Sequence, residues 1–584
     1  MEIRPVSEVL ATEGLHAPSI TALVPDAANY NALLMQPHGY IEANASGVRN
    51  RDREQARQQF SGFLSTAIQT GADLAITPEY SMPWDVLVHA IKNGATPHVG
   101  KLWVLGCESI TYDQLAVLKG ELAAFATIIY EPLPTAPNHF VDPLTYVFWA
   151  PPADGVSAAK LVLLVQFKTS PMVDNDHFEV NALQCGTQVY QFGIAGQTIR
   201  LVSLVCSDSF GFLDAEASLC YDRALFIHIQ LNAKPRHPQY RLYRDRLFRF
   251  DNDATELICL NWAGDIREWY PDEERSWNNI AGSAWYLKSN DRFDDRDTTL
   301  SANHLRGMYY TWHSPLHLDA LFFNYAPAVY LLRATKVFHL HVAAPRSRRR
   351  GPQLVTRFVW DPNAPAWIEQ VSADDGLSAI VHEAQNARDE IMRLSTENPF
   401  AAERVLALCA GKIVHDIDWH DVRELDSCEI DASEIIRRMT FCQDPAPEAA
   451  EFRIARLRRC GRLWEILQDK TKLPPSLADL SGGCRLEWRP DYPHHNVVSN
   501  EGRRATLVLM GDESGTGQIE AIAKIVADFL HRTSSDPASS LDARQRLAVW
   551  FRDTKDQIAY FPMDRYIRID KTGDTSEFNI AREQ

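Results

Sequence analysis

The sequence lacks any apolar run of about 18 residues, the length that a membrane-spanning helix requires. Its first residues, MEIRPVSEVL, also lack the apolar core of a secretory signal, because Glu2, Arg4 and Glu8 interrupt that stretch. These two absences predict a protein that works in the cytoplasm. We expect neither export nor a membrane span.

Cysteine occurs at ten positions among 584 residues, but the sequence has no CxxC pair and no Cys/His cluster of the zinc-binding kind. The absence of regular spacing also argues against a disulfide framework. We therefore expect no metal site, and we expect nearly all of the thiols to be reduced and buried.

Positive charge is scarce, since 59 Lys and Arg residues stand against 76 Asp and Glu residues, giving a formal net charge of −17. A general binder of nucleic acid or of anionic membranes carries the opposite balance. Nucleic acid is therefore not an expected partner. The contents of 45% hydrophobic and 23% charged residues are typical of globular proteins, and the length predicts about two to four domains.

An apolar run that fits a buried strand leads to Cys206 in LVSLVCSDSF (201–210). A buried strand holds a thiol rigidly, and the turn after it can direct backbone N–H groups at a developing oxyanion. A thiol becomes a strong nucleophile when a neighbouring group helps to remove its proton. This pattern predicts that Cys206 is a nucleophile.

Two earlier strands end in residues of complementary chemistry. LAITPEY (74–80) ends in a Pro-Glu pair that contains Glu79, and LVLLVQFKTSP (161–171) delivers Lys168. Each residue alone has an ordinary explanation, because such Glu and Lys side chains are usually solvated and a strand Cys is usually part of a core. Their occurrence in order at three strand ends favours a catalytic triad.

This ordered set resembles the nitrilase, or carbon–nitrogen hydrolase, superfamily from about residue 30 to about residue 336. The resemblance implies a four-layer αββα sandwich, an acyl-enzyme on Cys206 and a second glutamate that orients the lysine. Glu179 is the nearest match for that glutamate, with Asp174 and Asp176 as rivals in the same loop. The supporting stretches are GADLAITPEY (71–80), HIQLNAKPRHPQYRLYRDRLF (228–248), LICLNWAGD (257–265) and NNIAGSAWYL (278–287).

Cleavage of an amide through a thiol needs a base and a fixed positive charge near the carbonyl oxygen. In this scheme Glu79 takes and returns the proton, while Lys168 and the backbone N–H of Ser207 stabilise the oxyanion. Asp208 is expected to have a structural role in the turn after the nucleophile. His177, His228 and His237 would permit a Cys–His pair, but none lies at a strand end in a matching context. No cofactor is required.

Local patterns also predict the surrounding elements. We expect a first strand at 29–37, a helix over 52–71 that ends at Gly71, and a strand at 101–110. The runs FATIIYEPL (125–133) and TYVFWAP (145–151) are expected to be neighbouring strands.

The resemblance ends near residue 342, and AAPRSRRRGPQ (343–353) has the composition of an exposed connector. We therefore predict a hydrolase-like domain at 1–344, an exposed basic linker and connecting segment at 345–374, and a separate mixed α/β or α+β domain at 375–584. Helical and strand-like patterns alternate in this last region, whose role the pattern does not identify.

The function predicted from the sequence is hydrolysis of a non-peptide carbon–nitrogen bond in a small amide or nitrile. Two alternatives stay open at this stage. One is a nitrilase-fold scaffold or sensor with little or no activity in a larger assembly, and the other is an N-acyltransferase that uses the same acyl-enzyme. The resemblance further implies a homo-oligomer, and the extra C-terminal region suggests a site for a protein partner.

Overall fold

The computed structural model describes the chain from Met1 to residue 562 with internal gaps. The gaps are 27, 135, 173–178, 195–196, 233–237, 250–253, 264, 270–272, 279–282, 289–297, 305, 307, 314–317, 324–325, 339–350, 371–375, 411–446, 490–494, 511–514, 534–536, 554 and 556. The described residues divide into two compact units. The first unit contains Met1–Phe293 and Arg306–Ala373, and the second contains Asp294–Leu305 and the described residues that follow Ala373.

The first unit contains three sheets and eight helices among its described residues. Its strands are β1 (Glu2–Pro5), β2 (Asn29–Gln36), β3 (Gly39–Asn44), β4 (Gly47–Asn50), β5 (Leu74–Met82), β6 (Leu102–Cys107), β7 (Thr127–Tyr130), β8 (Pro143–Ala150), β9 (Lys160–Phe167), β10 (Gln188–Phe192), β11 (Arg200–Val205), β12 (Ala224–Ile229), β13 (Thr255–Leu260), β14 (Asp265–Trp269), β15 (Glu274–Asn278), β16 (Ala284–Lys288), β17 (Met308–His313), β18 (Leu318–Phe323), β19 (Ala328–Thr335), β20 (Gln353–Asp361) and β21 (Ala366–Gln370). Its helices are α1 (Val6–Thr12), α2 (Arg53–Thr70), α3 (Trp84–Lys92), α4 (Tyr112–Glu121), α5 (Glu179–Ala182), α6 (Asp208–Gly211), α7 (Asp214–Cys220) and α8 (Pro238–Phe248).

Two large mixed sheets form the centre of this unit. One has nine strands in the order β21-β20-β19-β2-β5-β6-β8-β9-β7, and the other has eight in the order β1-β10-β11-β12-β13-β16-β18-β17. Side chains and backbone connect the two sheets: Gln166 Nε2 donates to the Ser203 carbonyl at 3.0 Å, and the Tyr146 and Phe192 rings lie 5.0 Å apart. The sheets are therefore stacked face to face.

Helices cover the outer face of each sheet. On the nine-stranded sheet, α2, α3 and α4 bury a large apolar cluster against residues such as Leu33 and Trp103. On the eight-stranded sheet, α8 packs through Tyr243, whose hydroxyl is 2.6 Å from His228 Nδ1, and through the Phe248 carbonyl, which accepts from Lys288 Nζ at 2.8 Å. The four-layer αββα arrangement predicted from the sequence is confirmed.

Helix α2 shows how local sequence specifies these outer layers. Asp52 caps its first turn by accepting from the Gln55 N–H at 3.0 Å, and Gly71 ends it with a left-handed φ of 61°. Between these ends, Phe60, Phe63 and Leu64 are buried at helical spacing. Each such side chain contributes about 1.5–3 kcal/mol when it is removed from water.

Two predictions about strand neighbours and domain limits were wrong. Strands β7 and β8 are not adjacent, because β9 lies between them and pairs parallel with β7 and antiparallel with β8. Residues 353–370 are not a connecting segment, since β20 and β21 extend the nine-stranded sheet next to β19. The indole of Trp367 packs on α2 and donates to the Gln59 carbonyl at 2.8 Å, which attaches these strands to the first unit. The arginine-rich part of the connector, 343–350, lies outside the described residues.

The second unit combines helices with a five-stranded sheet. Its helices are α9 (Thr298–His304), α10 (Gly376–Ile380), α11 (Arg388–Glu397), α12 (Pro399–Cys409), α13 (Pro447–Leu467), α14 (Thr516–Thr533) and α15 (Pro537–Gln545). Its strands lie in the order β22 (Cys484–Leu486), β23 (Val497–Ser499), β24 (Arg504–Leu509), β25 (Leu547–Arg552) and β26 (Ile558–Tyr560). Parallel pairing of β24 with β25 across two helices makes this unit a mixed α/β structure. Within the described part of the chain, no helix is long and apolar enough to cross a membrane.

Candidate active site

The three strand ends that the sequence singles out meet inside the first unit. Glu79 lies near the end of β5, Lys168 follows β9 in the same sheet, and Cys206 follows β11 in the facing sheet. All three side chains are buried, with exposures of 1–2%. They are close enough that the charges of both Glu79 and Lys168 act on the Cys206 thiol.

The Lys168 ammonium is the centre of this cluster. Its Nζ lies 2.8 Å from Glu79 Oε1 and donates to both oxygens of Glu179, at 2.8 and 2.9 Å. A third carboxyl group, that of Asp142, is 3.7 Å away. Burial acts to lower the pKa of Lys168, but the surrounding carboxylates, Glu179 foremost, raise this pKa well above its ordinary value. The side chain is therefore a permanent cation.

Glu79 is held by two donors. Besides the lysine, the Leu231 N–H donates to its Oε2 at 2.6 Å. The backbone at this point also needs a glycine on the neighbouring strand, because a Cβ on Gly106 would lie 2.1 Å from the Pro78 carbonyl oxygen. Burial raises the pKa of Glu79, and the attraction of Lys168 acts in the opposite direction. A carboxylate with a raised pKa is a stronger base than an ordinary glutamate.

Cys206 occupies a strained position after its strand. Its φ is 40°, in the left-handed region that non-glycine residues rarely adopt, and such strain is typical of residues held in place for function. Its Sγ is 3.3 Å from the Tyr240 hydroxyl of α8. Burial, then the charge of Glu79, raises the pKa of this thiol well above its ordinary value. The resting group is thus a neutral thiol that needs a base for attack.

Glu179 lies in the cluster on α5, while its sequence rivals Asp174 and Asp176 lie outside the described residues. Its carboxylate accepts from the Tyr80 hydroxyl at 2.7 Å and from the Met172 N–H at 2.8 Å, in addition to Lys168. These bonds engage both oxygens of Glu179 with Lys168, Tyr80 and the Met172 backbone. It is therefore poorly suited to act as the base.

Asp208 ties the turn after Cys206 to the loop after β9. Its carboxylate accepts from the Thr169 N–H at 2.6 Å, from the Thr169 hydroxyl at 2.8 Å and from the Val205 N–H at 3.0 Å. Burial raises the pKa of Asp208 to about 6. The Ser207 hydroxyl donates to the Ser170 carbonyl at 2.6 Å and joins the same two loops. The role of the Ser207 backbone N–H at an oxyanion stays a prediction.

A Cys–His pair is not formed by His228. Its Nε2 lies 2.9 Å from the backbone carbonyl of Cys206, and its Nδ1 faces the Tyr243 hydroxyl. Burial lowers the pKa of His228 to about 3, so the ring is neutral. His177 and His237 lie outside the described residues.

The carboxylates Glu79, Asp142 and Glu179 are close enough to offer a metal ion three ligands, with oxygen atoms within 4.8 Å of one another. The Lys168 Nζ contacts each of them, at 2.8, 3.7 and 2.8 Å, and so provides the positive charge at their centre. The three carboxyl groups therefore surround the Lys168 ammonium.

Two residues of the site escaped the sequence reasoning. Asp142 stands directly before β8, in FVDPLTYVFWA, where one acid inside an otherwise apolar stretch was a usable signal. Antiparallel pairing of Pro143 with Phe167 brings it beside Lys168, whose N–H donates to the Asp142 carbonyl at 2.9 Å. No sequence pattern pointed to Tyr240, because its contact with Cys206 depends on how α8 packs.

Replacing Tyr240 with phenylalanine should slow alkylation of Cys206 by a small reagent by a few-fold, on the scale of one neutral hydrogen bond. The hydroxyl lowers the pKa of the thiol, so its loss leaves less of the reactive form. The rate can be measured by peptide mass spectrometry at pH 8. Unchanged or faster alkylation would show that Tyr240 only covers the thiol.

No family model and no curated protein matches this chain. An amidase from Nesterenkonia sp. is similar at 15% sequence identity and a TM-score of 0.26, covering 45% of this chain and 84% of the amidase. A variant of a Nesterenkonia AN1 amidase, described as a member of the nitrilase superfamily, gives the same values. A further variant, described as carrying the acetamide moiety of fluoroacetamide on its active-site cysteine, has 16% identity and the same TM-score and coverage. Each of these similarities covers 45% of this chain, and the rest of the chain is not matched by these structures.

Proposed function

We propose that the first unit is a carbon–nitrogen hydrolase that cleaves a small amide through a thioester on Cys206. The observation that carries this proposal is the buried Lys168 ammonium, which contacts Glu79 and Glu179 and whose charge acts on the Cys206 thiol. Such a cluster is costly to bury and contributes little to stability in itself. It is well suited to a reaction that develops negative charge on a carbonyl oxygen.

The first half-reaction begins with transfer of the thiol proton to Glu79 as the sulfur attacks the carbonyl carbon. A raised thiol pKa makes this base necessary, and the raised pKa of Glu79 suits it to the task. The ammonium of Lys168 is the fixed charge for the oxyanion, with the Ser207 N–H as the second proposed donor. Glu79 then returns its proton to the leaving amine.

In the second half-reaction Glu79 removes a proton from water, which attacks the thioester carbon. The C–S bond then breaks, the acid is released, and Glu79 returns its proton to the Cys206 sulfur. Because Cys206 is 2% exposed and its thiol contacts the Tyr240 hydroxyl, the site favours a small substrate. Nitriles and acyl transfer to an amine use the same nucleophile and base. Self-association, a protein partner for the second unit and a cytoplasmic location stay predictions from the sequence.

The proposal is tested by incubating the full chain with a panel of small primary amides and nitriles. We expect ammonia release, and we expect an acyl group on the peptide that contains Cys206 after acid quenching. Cys206→Ala should abolish both signals, and Cys484→Ala, which removes a half-buried thiol of the second unit, should leave both unchanged.

Added hydroxylamine distinguishes the outcomes further. Faster turnover with a hydroxamate product would identify an acyl-enzyme that accepts amines. Ammonia release that persists in Cys206→Ala would contradict the proposed nucleophile. A folded protein that gives neither ammonia nor an acylated peptide across the panel would favour the scaffold or sensor instead.

A further inference from the structure

The Lys168 cluster contains more carboxyl groups than one ammonium can neutralise. Glu79, Asp142 and Glu179 are all buried, and their oxygen atoms lie within 4.8 Å of one another around a single cation. Full ionisation would leave an excess of negative charge in a site that is buried from solvent. Buried carboxyl groups at this spacing relieve such repulsion by keeping a proton.

The hydrogen bonds indicate which group keeps that proton. Glu179 accepts from Lys168, Tyr80 and Met172, and Glu79 accepts from Lys168 and from the Leu231 N–H. By contrast, neither side-chain oxygen of Asp142 accepts from any donor within the described part of the chain, and Lys168 Nζ is 3.7 Å away. Asp142 is therefore the carboxyl group least able to carry a negative charge.

We propose that Asp142 is protonated in the resting protein and that its O–H donates a hydrogen bond to the Glu79 carboxylate. Two ionised carboxylates cannot form a hydrogen bond with each other, whereas a pair that shares one proton can form a strong one. Burial, followed by the charge of Glu79, raises the pKa of Asp142 well above its ordinary value. The same bond lowers the pKa of Glu79 and so opposes the effect of its burial.

Three other described titratable groups interact with Asp142, and none of them supplies a competing charge. Burial raises the pKa of Cys107 to about 12, of Cys185 to about 11 and of Tyr80 well above its ordinary value, so all three are neutral at pH 7. Among the residues that the structure describes, Asp142 thus faces one cation, Lys168, and the two carboxylates of Glu79 and Glu179.

Asp142 is a positioning residue in this account. The thiol proton passes to Glu79 and then to the leaving amine, while Asp142 keeps its own proton throughout. Its hydrogen bond stabilises the ionised base before attack and keeps one Glu79 oxygen in place. The role given to Glu79 rests on the proposed function, but the protonation state of Asp142 does not.

The pH dependence of Cys206 alkylation by iodoacetamide tests how Asp142 affects the pKa of Glu79, and it needs no substrate. In Asp142→Leu the base loses a donor, so the acid limb of the rate profile should move to higher pH by about one to two units. Asp142→Asn keeps a neutral donor, and its acid limb should stay within about half a unit of the wild-type position. If Asp142 were instead ionised, both substitutions would remove a negative charge and move the limb to lower pH. That result, or no movement in either variant, would overturn the proposal.

Infrared difference spectroscopy tests the proton itself, independently of any reaction at Cys206. The protonated carboxyl C=O band of the full chain at pH 8 should be lost in Asp142→Asn. It should persist in Asp208→Asn, because Asp208, with a pKa of about 6 and three donors, is ionised at that pH. A band unaffected by Asp142→Asn would overturn the proposal even if Asp142→Leu fails to fold. If alkylation proves independent of Glu79 while this band is lost, the proposed function fails and the protonated Asp142 stands.

Discussion

Replacement of Lys168 with methionine should destabilise the first unit by about 3–5 kcal/mol at pH 8, the usual cost of removing one partner from a buried ion pair. The substitution keeps most of the side-chain volume but leaves Glu79 and Glu179 without their shared cation. With a urea dependence of about 2–3 kcal/mol/M, the unfolding midpoint should fall by about 1–2 M. Tryptophan fluorescence during urea unfolding measures this midpoint.

The loss of unfolding free energy in Lys168→Met should become smaller as the pH falls towards 5. Without the ammonium, the pKa values of the buried carboxyl groups rise further above their unfolded values, so their ionisation destabilises the fold increasingly as the pH rises. Protonation at lower pH removes that repulsion. A loss equal at pH 5 and pH 8, or below about 1 kcal/mol at both, would contradict the central position of the cation.

Lys336→Met is the matched control for this experiment. Lys336 is also buried, with its Nζ 2.6 Å from Asp26 Oδ1, but the Asp26 side chain is 51% exposed. Water can solvate that carboxylate once the lysine is gone, so the loss should be about 1 kcal/mol or less. The contrast separates the effect of buried carboxylates from the loss of a buried lysine.

Replacement of Glu79 with glutamine should lower the rate of Cys206 alkylation by at least about a hundredfold at pH 8, the lower end of the usual contribution from a general base. Burial raises the pKa of the thiol, so little thiolate forms without help. In the wild-type protein the rate should fall as the pH drops through the raised pKa of Glu79, and this acid limb should disappear in the variant. Peptide mass spectrometry at limiting iodoacetamide gives both rates.

Two controls make this result specific. Cys484, a half-buried thiol in the second unit whose pKa burial raises to about 11, should be alkylated at the same rate in both proteins. Glu108→Gln changes another buried glutamate, whose Oε1 accepts from Asn50, and should leave the Cys206 rate unchanged. Equal alkylation of Cys206 in wild type and Glu79→Gln would remove Glu79 from the reaction.

The strands that position the candidate site could be predicted from local sequence. Buried strands appear as apolar runs, and a polar residue at the end of such a run is conspicuous, as with Glu79, Lys168 and Cys206. The boundaries of α2 were also local, since Asp52 caps its start and Gly71 ends it. The error at 353–370 arose because an arginine-rich stretch was given more weight than the strand-like alternation that follows it.

The sequence by itself therefore determined the α/β layers, the strand ends and the residue types of the candidate triad, because each depends on side chains close together along the chain. Only the tertiary structure decided that β9 separates β7 from β8, that Asp142 joins the Lys168 cluster and that Tyr240 contacts Cys206. These contacts join residues far apart in the chain, and strand order, register and helix packing select them. The same holds for protonation. The sequence contains the three acids and the lysine, but their burial around one ammonium determines which acid keeps its proton.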